Sequence, residues 1–462
     1  MVLIKSISGV RGTVDNNCDQ GLSDYEIKNC VIQFAKVFVE EPVNNSTIAV
    51  GRDGRSSGAH IINLVISTLN RLGINVLNLD LTTTPSVQLA IINECCCGGI
   101  MISASHNPIN WNGLKLLNSK GEFLSKSQGD KVFQFSTNGI KLSDSTGSIK
   151  NINYLNKHID HVLGLSDLDL EKIKLRNFKI VVDGINSSGG IYIPYLLRKM
   201  GVDVIELNCV ANGQFSHNPE PIPENLKDLS DMVVEHKADL GIAVDPDVDR
   251  LVLICDDGNF FGEEYTIVAV AKYILSKHPK SSIVTNLSTT RAVKDIAISL
   301  GVKHLESPVG EINVVELMKK CNAVIGGEGS GGVIFSKSHY GRDAIVGVAL
   351  ILSFLAQKKQ SITQLRSTLP NYYMLKDKIT IPKDLKFESD RYILDQIEHC
   401  KNDNNTFSTV DGIKIYYHCG GWSHVRNSNT EPIVRIIIEA HSKKRMFEIK
   451  KRLIYEINNY LQ

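Results

Sequence analysis

The chain has 462 residues, more than one hydrophobic core can organise, which predicts three or four domains. Lys plus Arg numbers 51 against 50 for Asp plus Glu, so nothing marks a broad nucleic-acid or membrane-surface partner. A charged ligand must therefore be met by a local cluster of side chains.

In chain order, the opening MVLIKSISGVRGT lacks the unbroken apolar core of a secretory leader, and Arg11 sits between glycines with no reading of its own. TIAVGRDGRSSG (47–58) is a β-branched run, then a Gly/Ser/Asp loop, then the helix-like AHIINLVISTLNRLG and a second apolar run, INVLNLD. KIVVDGINSSGG (179–190) and SIVTNLSTT (282–290) repeat that order before their own helices and the runs VDVIELN and VKHLES. Strand, helix and strand at this spacing predict βαβ units on mixed or parallel sheets. Three such units predict three related α/β domains. AIVGVALILSFLA (344–356) falls short of the ~20 residues of a spanning helix and reads as a buried one. The last ninety or so residues break the pattern. KDKITIP, GIKIYYHCG and IVRIIIEA read as strands and KKRMFEIKKRLIYEINNYL as a helix, an α+β tail. Boundaries are expected at 1–150, 151–255, 256–370 and 371–462. The 10 cysteines form no CxxC pair, and reduced, mostly buried thiols in the cytoplasm are the expectation.

Four loops carry chemistry. ISASHNPINWNGLK (102–115) offers Ser105, His106 and Lys115, all competent in group transfer. In GIAVDPDVDRLVLICDDG (241–258), Asp245, Asp247 and Asp249 alternate, so an extended backbone would turn three carboxylates to one side. Three crowded anions repel unless a cation joins them, and hard oxygen ligands suit Mg²⁺. Arg250 follows and could offer a fork to a phosphate. GGEGSGG (326–332) supplies Glu328 and Ser330 among glycines, a set suited to sugar hydroxyls. RNSNTEP (426–432), with Arg426, Ser428, Asn429 and Thr430, and Arg435 beyond it, offers the donors a phosphate dianion needs; a capped turn is the other reading. Two decoys share this chemistry. FSHNPEP (215–221) repeats His-Asn-Pro without a following lysine, and DGINSSGG (183–190) has glycines that fit strand-to-helix packing as well as a phosphate.

Together, and in this order, the four loops resemble the signatures of the α-D-phosphohexomutase family along the whole chain. The resemblance implies three related α/β domains with mixed sheets and a C-terminal α+β domain around a central cleft. It implies that Ser105 carries a phosphoryl group and completes the shell of one Mg²⁺ with the three aspartates, while Arg250 steadies the transferring group. Lys115 matches the family's proton-moving lysine, a role that holds if nearby cations lower its pKa, and Arg11 the N-terminal arginine beside the serine. Glu311 aligns with a polar sugar-loop position. His106 orients the loop, since a ring next in sequence is poorly placed to bridge to its neighbour's hydroxyl. Arg426, Ser428, Asn429, Thr430 and Arg435 hold the phosphate that is not reacting, on a mobile fourth domain. Gly332 stands where many members carry histidine. The implied reaction converts a hexose 6-phosphate to the 1-phosphate through a 1,6-bisphosphate, which also primes the enzyme. LIKSISGVRGT, ISASHNPINWN and HNPEP resemble bacterial members acting on glucosamine 6-phosphate; mannose or glucose phosphates are the alternative. A small sugar phosphate is the one partner implied, and oligomeric state is open. A metal-dependent phosphohydrolase and a silent sugar-phosphate sensor are the readings from other classes.

Overall fold

The computed structural model describes residues 2–6, 9–14, 21–39, 46–140, 142, 147–382, 384–418, 420–428 and 432–461. The chain forms two compact units, Met1–Tyr273 with Ser330–Arg366, and Ile274–Gly329 with Ser367–Gln462.

In the first unit a seven-stranded mixed sheet runs in the order Leu3–Ser6, Gly9–Thr13, Trp111–Asn118, Gly98–Ile102, Thr47–Arg52, Asn75–Leu81, Ile149–Asn151. The predicted βαβ unit is there: helix Gly58–Arg71 joins the parallel strands Thr47–Arg52 and Asn75–Leu81. Its core packs Ile48, Val50, Ile100 and Leu116 of the sheet against Phe34, Val65 and Leu69 of the helices. A second sheet orders Leu251–Cys255, Leu240–Val244, Lys179–Asp183 and Asp203–Leu207, its last three strands parallel. Both sheets end in the turns that carry the candidate residues. The apolar 344–356 run lies in the helix Ala344–Lys358 and is buried along its whole length. No helix among the described residues is long and apolar enough to cross a membrane.

Gly9 shows why the N-terminal hairpin can reach the site. It has φ 124°, and a Cβ there would lie 1.9 Å from the Leu114 carbonyl oxygen. Only glycine allows Gly9–Thr13 to lie flush on the strand bearing Lys115, setting Arg11 opposite Gly113.

The second unit joins parallel strands Ser282–Asn286, Lys303–Ser307 and Ile325–Glu328 to a five-stranded antiparallel sheet. That sheet contains the three strands read from sequence; strands Thr406–Ser408 and Trp422–Asn427 and helix Ser389–Asn402 were not anticipated. Their alternation is interrupted by polar residues with partners in this unit. Lys414 is fully buried, ion-paired to Glu306 at 2.6 Å and lying 4.1 Å over the Trp422 ring. Burial, with some help from Lys414, pushes His304 and His424 down to about 4, although Glu306 and Asp411 oppose the shift. Both rings are then neutral in the fold but protonate near 6.5 once exposed, so the unfolded chain binds more protons between these values. Stability is therefore complete above about pH 6.5 and falls as pH drops toward 4, each histidine contributing roughly 3 kcal/mol. Melting temperature followed against pH checks this, and His304→Gln with His424→Gln should flatten the acid limb.

Candidate active site

The strand Gly98–Ile102 ends in a turn that puts Ser105 in the left-handed region, φ 50°, a conformation costly for a residue with a Cβ. Neighbouring groups hold it there. The Ser105 N–H donates to Ser103 Oγ at 2.8 Å, and Ser103 Oγ donates to Asp53 Oδ2 at 2.7 Å. Arg55, 1% exposed, donates to four carbonyl oxygens of the turn: Ser105 at 2.5 Å, Pro108 at 2.6 Å, Asn107 at 2.7 Å and Trp111 at 3.0 Å. Its Nε pairs with the buried Asp53 at 3.2 Å. Burial pulls Arg55 down and pushes Asp53 up, each opposing the other's shift, so this pair fixes geometry more than it adds stability.

Ser105 Oγ donates to Asp245 Oδ2 at 2.8 Å. Asp245, Asp247 and Asp249 are fully buried and place one oxygen each within 4.8 Å of one another. The expected extended backbone is not what gathers them. The strand Leu240–Val244 stops short of Asp245 and the loop is a turn, with Val248 at φ 64° and Val248 N–H donating to the Asp245 carbonyl at 3.0 Å. Alternation in a strand would leave the carboxylates a repeat apart, whereas the turn folds them together. Asp245 Oδ1 accepts the N–H groups of Asp249 and Arg250, both at 3.1 Å.

The donor set fits a hard divalent cation. Asp247 Oδ1 and Asp249 Oδ1 are buried with no hydrogen-bond partner among the described residues, a cost that an oxygen-seeking ion would remove. Burial, Asp249 and Asp247 together push Asp245 above the usual carboxylate range. Burial also raises Asp249, but Arg342, Lys115 and Arg250 outweigh it and hold this carboxyl low. One carboxylate of three is thus short of positive charge.

Lys115 Nζ reaches the same carboxylates, ion-paired to Asp247 and, at 3.1 Å, to Asp249. The lowered pKa that a proton-moving lysine needs is not what this arrangement gives. Burial does pull it down, but Asp247, Asp249 and Asp245 outweigh that and keep Lys115 an ammonium. His106 Nδ1 comes only to 3.4 Å from Ser105 Oγ, a long contact. Arg250, burial and Arg11 hold the ring well below its ordinary pKa, so it is a neutral imidazole. Arg11 Nη1 lies 3.5 Å from Asn107 Oδ1, and burial and Arg250 lower its own pKa. Arg250 Nε is buried without a partner among the described residues.

Sequence reasoning missed Arg55, Arg342 and Thr84. Arg342 Nη2 donates to Asp249 Oδ2 at 2.8 Å, and the Thr84 hydroxyl donates to Asp247. GRDGR at the end of a βαβ strand was the available signal for Arg55. The decoys resolve as packing. Ser187 Oγ accepts from Gly54 N–H at 2.9 Å and donates to the Pro246 carbonyl at 2.7 Å, and Ser188 Oγ donates to Thr82 at 2.6 Å. His217 bonds Asp183 at 3.0 Å, and Phe215 lies 5.0 Å under Arg55.

In the second unit, Glu328 Oε1 accepts from Asn286 Nδ2 at 2.7 Å and from Gly310 N–H at 3.2 Å, beside the buried Glu311 that starts the helix Glu311–Cys321. Val309 N–H donates to Asp411 at 3.0 Å, and Asp411 pairs with Arg426 at 3.1 Å. Arg426 and Arg435 are direct cross-strand partners. Ser428 closes this strand pair through its N–H to Ile433 at 3.0 Å. Asn429 and Thr430 lie outside the described residues. Ser330 is part of the first unit and is half-buried.

Known proteins share this organisation. Residues 4–147, 156–258 and 262–373 match the families described as phosphoglucomutase/phosphomannomutase alpha/beta/alpha domains I, II and III, and 383–455 match the C-terminal domain. A phosphoglucomutase/phosphomannomutase of Thermococcus kodakarensis is 34% identical over 90% of each chain. A phosphoglucosamine/phosphogalactosamine mutase of Sulfurisphaera tokodaii is 29% identical over 98% of each. A solved phosphoglucomutase/phosphomannomutase family protein of Burkholderia thailandensis shares the fold, with TM-score 0.84, 23% identity and coverage of 99% of this chain and 97% of that one. With three α/β domains, a C-terminal domain and this serine–aspartate centre, the chain belongs to the α-D-phosphohexomutase family.

Proposed function

We propose that the protein interconverts glucosamine 6-phosphate and glucosamine 1-phosphate through a phosphoserine at Ser105 and a 1,6-bisphosphate. The observation that carries this reading is the 2.8 Å bond from Ser105 Oγ to Asp245, at the edge of a buried triad with two unsatisfied carboxylate oxygens. Phospho-Ser105 gives its phosphoryl group to the sugar O1: the Oγ–P bond breaks, the O1–P bond forms, and the hydroxyl proton leaves. Neutral Lys115 Nζ is the acceptor proposed for that proton; since the aspartates keep it an ammonium here, it must first leave Asp247 and Asp249 and give up its own proton to solvent. After the sugar reverses, the 6-phosphoryl returns to Ser105. Asp245, Asp247 and Asp249 would hold one Mg²⁺, which when bound neutralises charge on the transferring group. Arg11 and Arg250 would steady that group, and His106, neutral, would keep the loop in place.

Glu328, Ser330 and Glu311 are the proposed sugar contacts, and Arg426, Ser428, Asn429, Thr430 and Arg435 the grip on the idle phosphate. The domains proposed are 1–150, 151–255, 256–370 and 371–462, each supplying one loop. A hexose 1,6-bisphosphate is the proposed activator. The cytoplasm is the proposed compartment, in keeping with eight free thiols among the described residues.

The hexosamine assignment rests on likeness to sequences acting on glucosamine phosphate and on the name of the Sulfurisphaera tokodaii relative. Turnover of glucosamine 6-phosphate and of glucose 1-phosphate, each with Mg²⁺ and bisphosphate, tests it. The expected result is a higher kcat/KM for the amino sugar. A strong preference for glucose 1-phosphate overturns the assignment, and steady release of inorganic phosphate overturns the mutase reading.

A further inference from the structure

The aspartate loop is gripped at two points. Thr84, the first residue of helix Thr84–Asn93, donates its N–H to the Asp247 carbonyl at 2.9 Å and its hydroxyl to the Asp247 carboxylate. The turn at 342–344 supplies the other grip: Arg342 holds Asp249 at 2.8 Å, and Ala344 N–H donates to the Val248 carbonyl at 3.2 Å. The two grips are far apart in sequence, and one fully buried side chain connects them. His158, on helix Leu155–Leu163, puts Nδ1 2.8 Å from Ser86 Oγ and Nε2 3.0 Å from Asp343 Oδ2.

Each contact leads directly to a grip. Ser86 Oγ is 2.8 Å from Thr83 Oγ1, the N-cap of the helix that Thr84 begins. Asp343 stands between Arg342 and Ala344 and caps the helix Ala344–Lys358, accepting from Ile345 N–H at 2.8 Å and Val346 N–H at 3.2 Å. His339 Nε2 adds a further contact at 3.2 Å. An Asp343 carboxylate accepts, so the proton on His158 that meets it is on Nε2. Nδ1 is then the partner of the Ser86 hydroxyl, and the chain Thr83–Ser86–His158–Asp343 is continuous and buried. Removing one member leaves buried polar atoms unmet and lets both helix ends shift.

We propose that His158 is a positioning residue for the metal loop, a buried strut that sets the spacing of its two grips and so the cation affinity of Asp245, Asp247 and Asp249. The inference rests on the reading that this triad holds a divalent cation. Mg²⁺ demands near-ideal oxygen geometry, so a shift of a few tenths of an ångström at Asp247 or Asp249 weakens it. Groups that orient metal ligands from behind typically change affinity by about 10- to 100-fold when lost.

The test is direct Mn²⁺ binding to the full-length, unphosphorylated protein, followed by the loss of free-ion EPR signal. His158→Phe is expected to raise the Mn²⁺ Kd about 10-fold or more while keeping one site. Ser86→Ala should raise it by a smaller factor. His158→Gln, whose amide nitrogen can stand in for Nε2 toward Asp343, should recover part of the loss. His161→Phe, on the same helix but bonded to Ser338 at 3.0 Å outside this chain of contacts, should bind as wild type. A folded His158→Phe protein with wild-type affinity overturns the strut, as does equal weakening by His161→Phe. Should His158→Phe not fold, unchanged affinity in Ser86→Ala overturns it. Wild-type protein that binds no Mn²⁺ would instead sink the reading of the triad.

Discussion

Ser105→Ala is expected to lose mutase turnover by roughly 10⁴- to 10⁶-fold, as removal of an essential nucleophile does. Its fold and its binding of sugar phosphate should persist. The turn does not depend on the hydroxyl: Arg55 and Ser103 hold the backbone of residue 105, and neither touches Oγ. What is lost is the bond to Asp245, which still accepts from the N–H groups of Asp249 and Arg250, and the long contact to His106 Nδ1. That should cost about 1 kcal/mol. A steady-state assay beside calorimetric binding of glucosamine 6-phosphate separates the two effects. Turnover within 10-fold of wild type would remove Ser105 from the chemistry.

Arg55→Met should be nearly as damaging to activity and far worse for stability. The guanidinium is the common partner of four carbonyls in the serine turn, at 2.5 to 3.0 Å, and methionine offers none of these donors. The left-handed serine then has little to enforce it, and a reacting atom displaced by about 1 Å costs on the order of 100-fold in rate. Asp53 is left fully buried with Ser103 Oγ and one backbone N–H, and an orphaned buried charge typically costs about 3–5 kcal/mol. Denaturant unfolding and kcat at saturating substrate read the two losses. A smaller drop in kcat for Arg55→Lys than for Arg55→Met would show one ammonium doing part of the fork's work; equal kcat in Arg55→Met and wild type would contradict the clamp.

The parts of the site that were legible in the sequence are those written in consecutive residues. Ser105, the three aspartates and Lys115 lie in short motifs whose residue types already imply the chemistry, and the βαβ rhythm predicted the sheets that carry them. The backbone between the aspartates was misread because alternation is a strand signal, while Val248 at φ 64° makes a turn that no propensity favours. Arg342, Thr84 and His158 were illegible, and Arg55 was signalled only as part of GRDGR with no hint of its partners, for another reason. Arg55 lies fifty residues from Ser105, and Thr84 and Arg342 meet the aspartate loop only after three stretches of chain have packed. The direction of the Lys115 shift depended on the same tertiary fact: nothing beside the lysine in sequence shows that the fold gives it the carboxylates of the aspartate loop.

The account stands on a phosphoryl group carried by one hydroxyl. Peptide mapping by mass spectrometry, after incubation of the whole protein with Mg²⁺ and glucose 1,6-bisphosphate, tests it most directly. The predicted result is a single phosphoryl group on Ser105, absent from the Ser105→Ala protein. A turning-over enzyme in which that residue stays unmodified, or in which the phosphoryl group sits on another side chain, would contradict it.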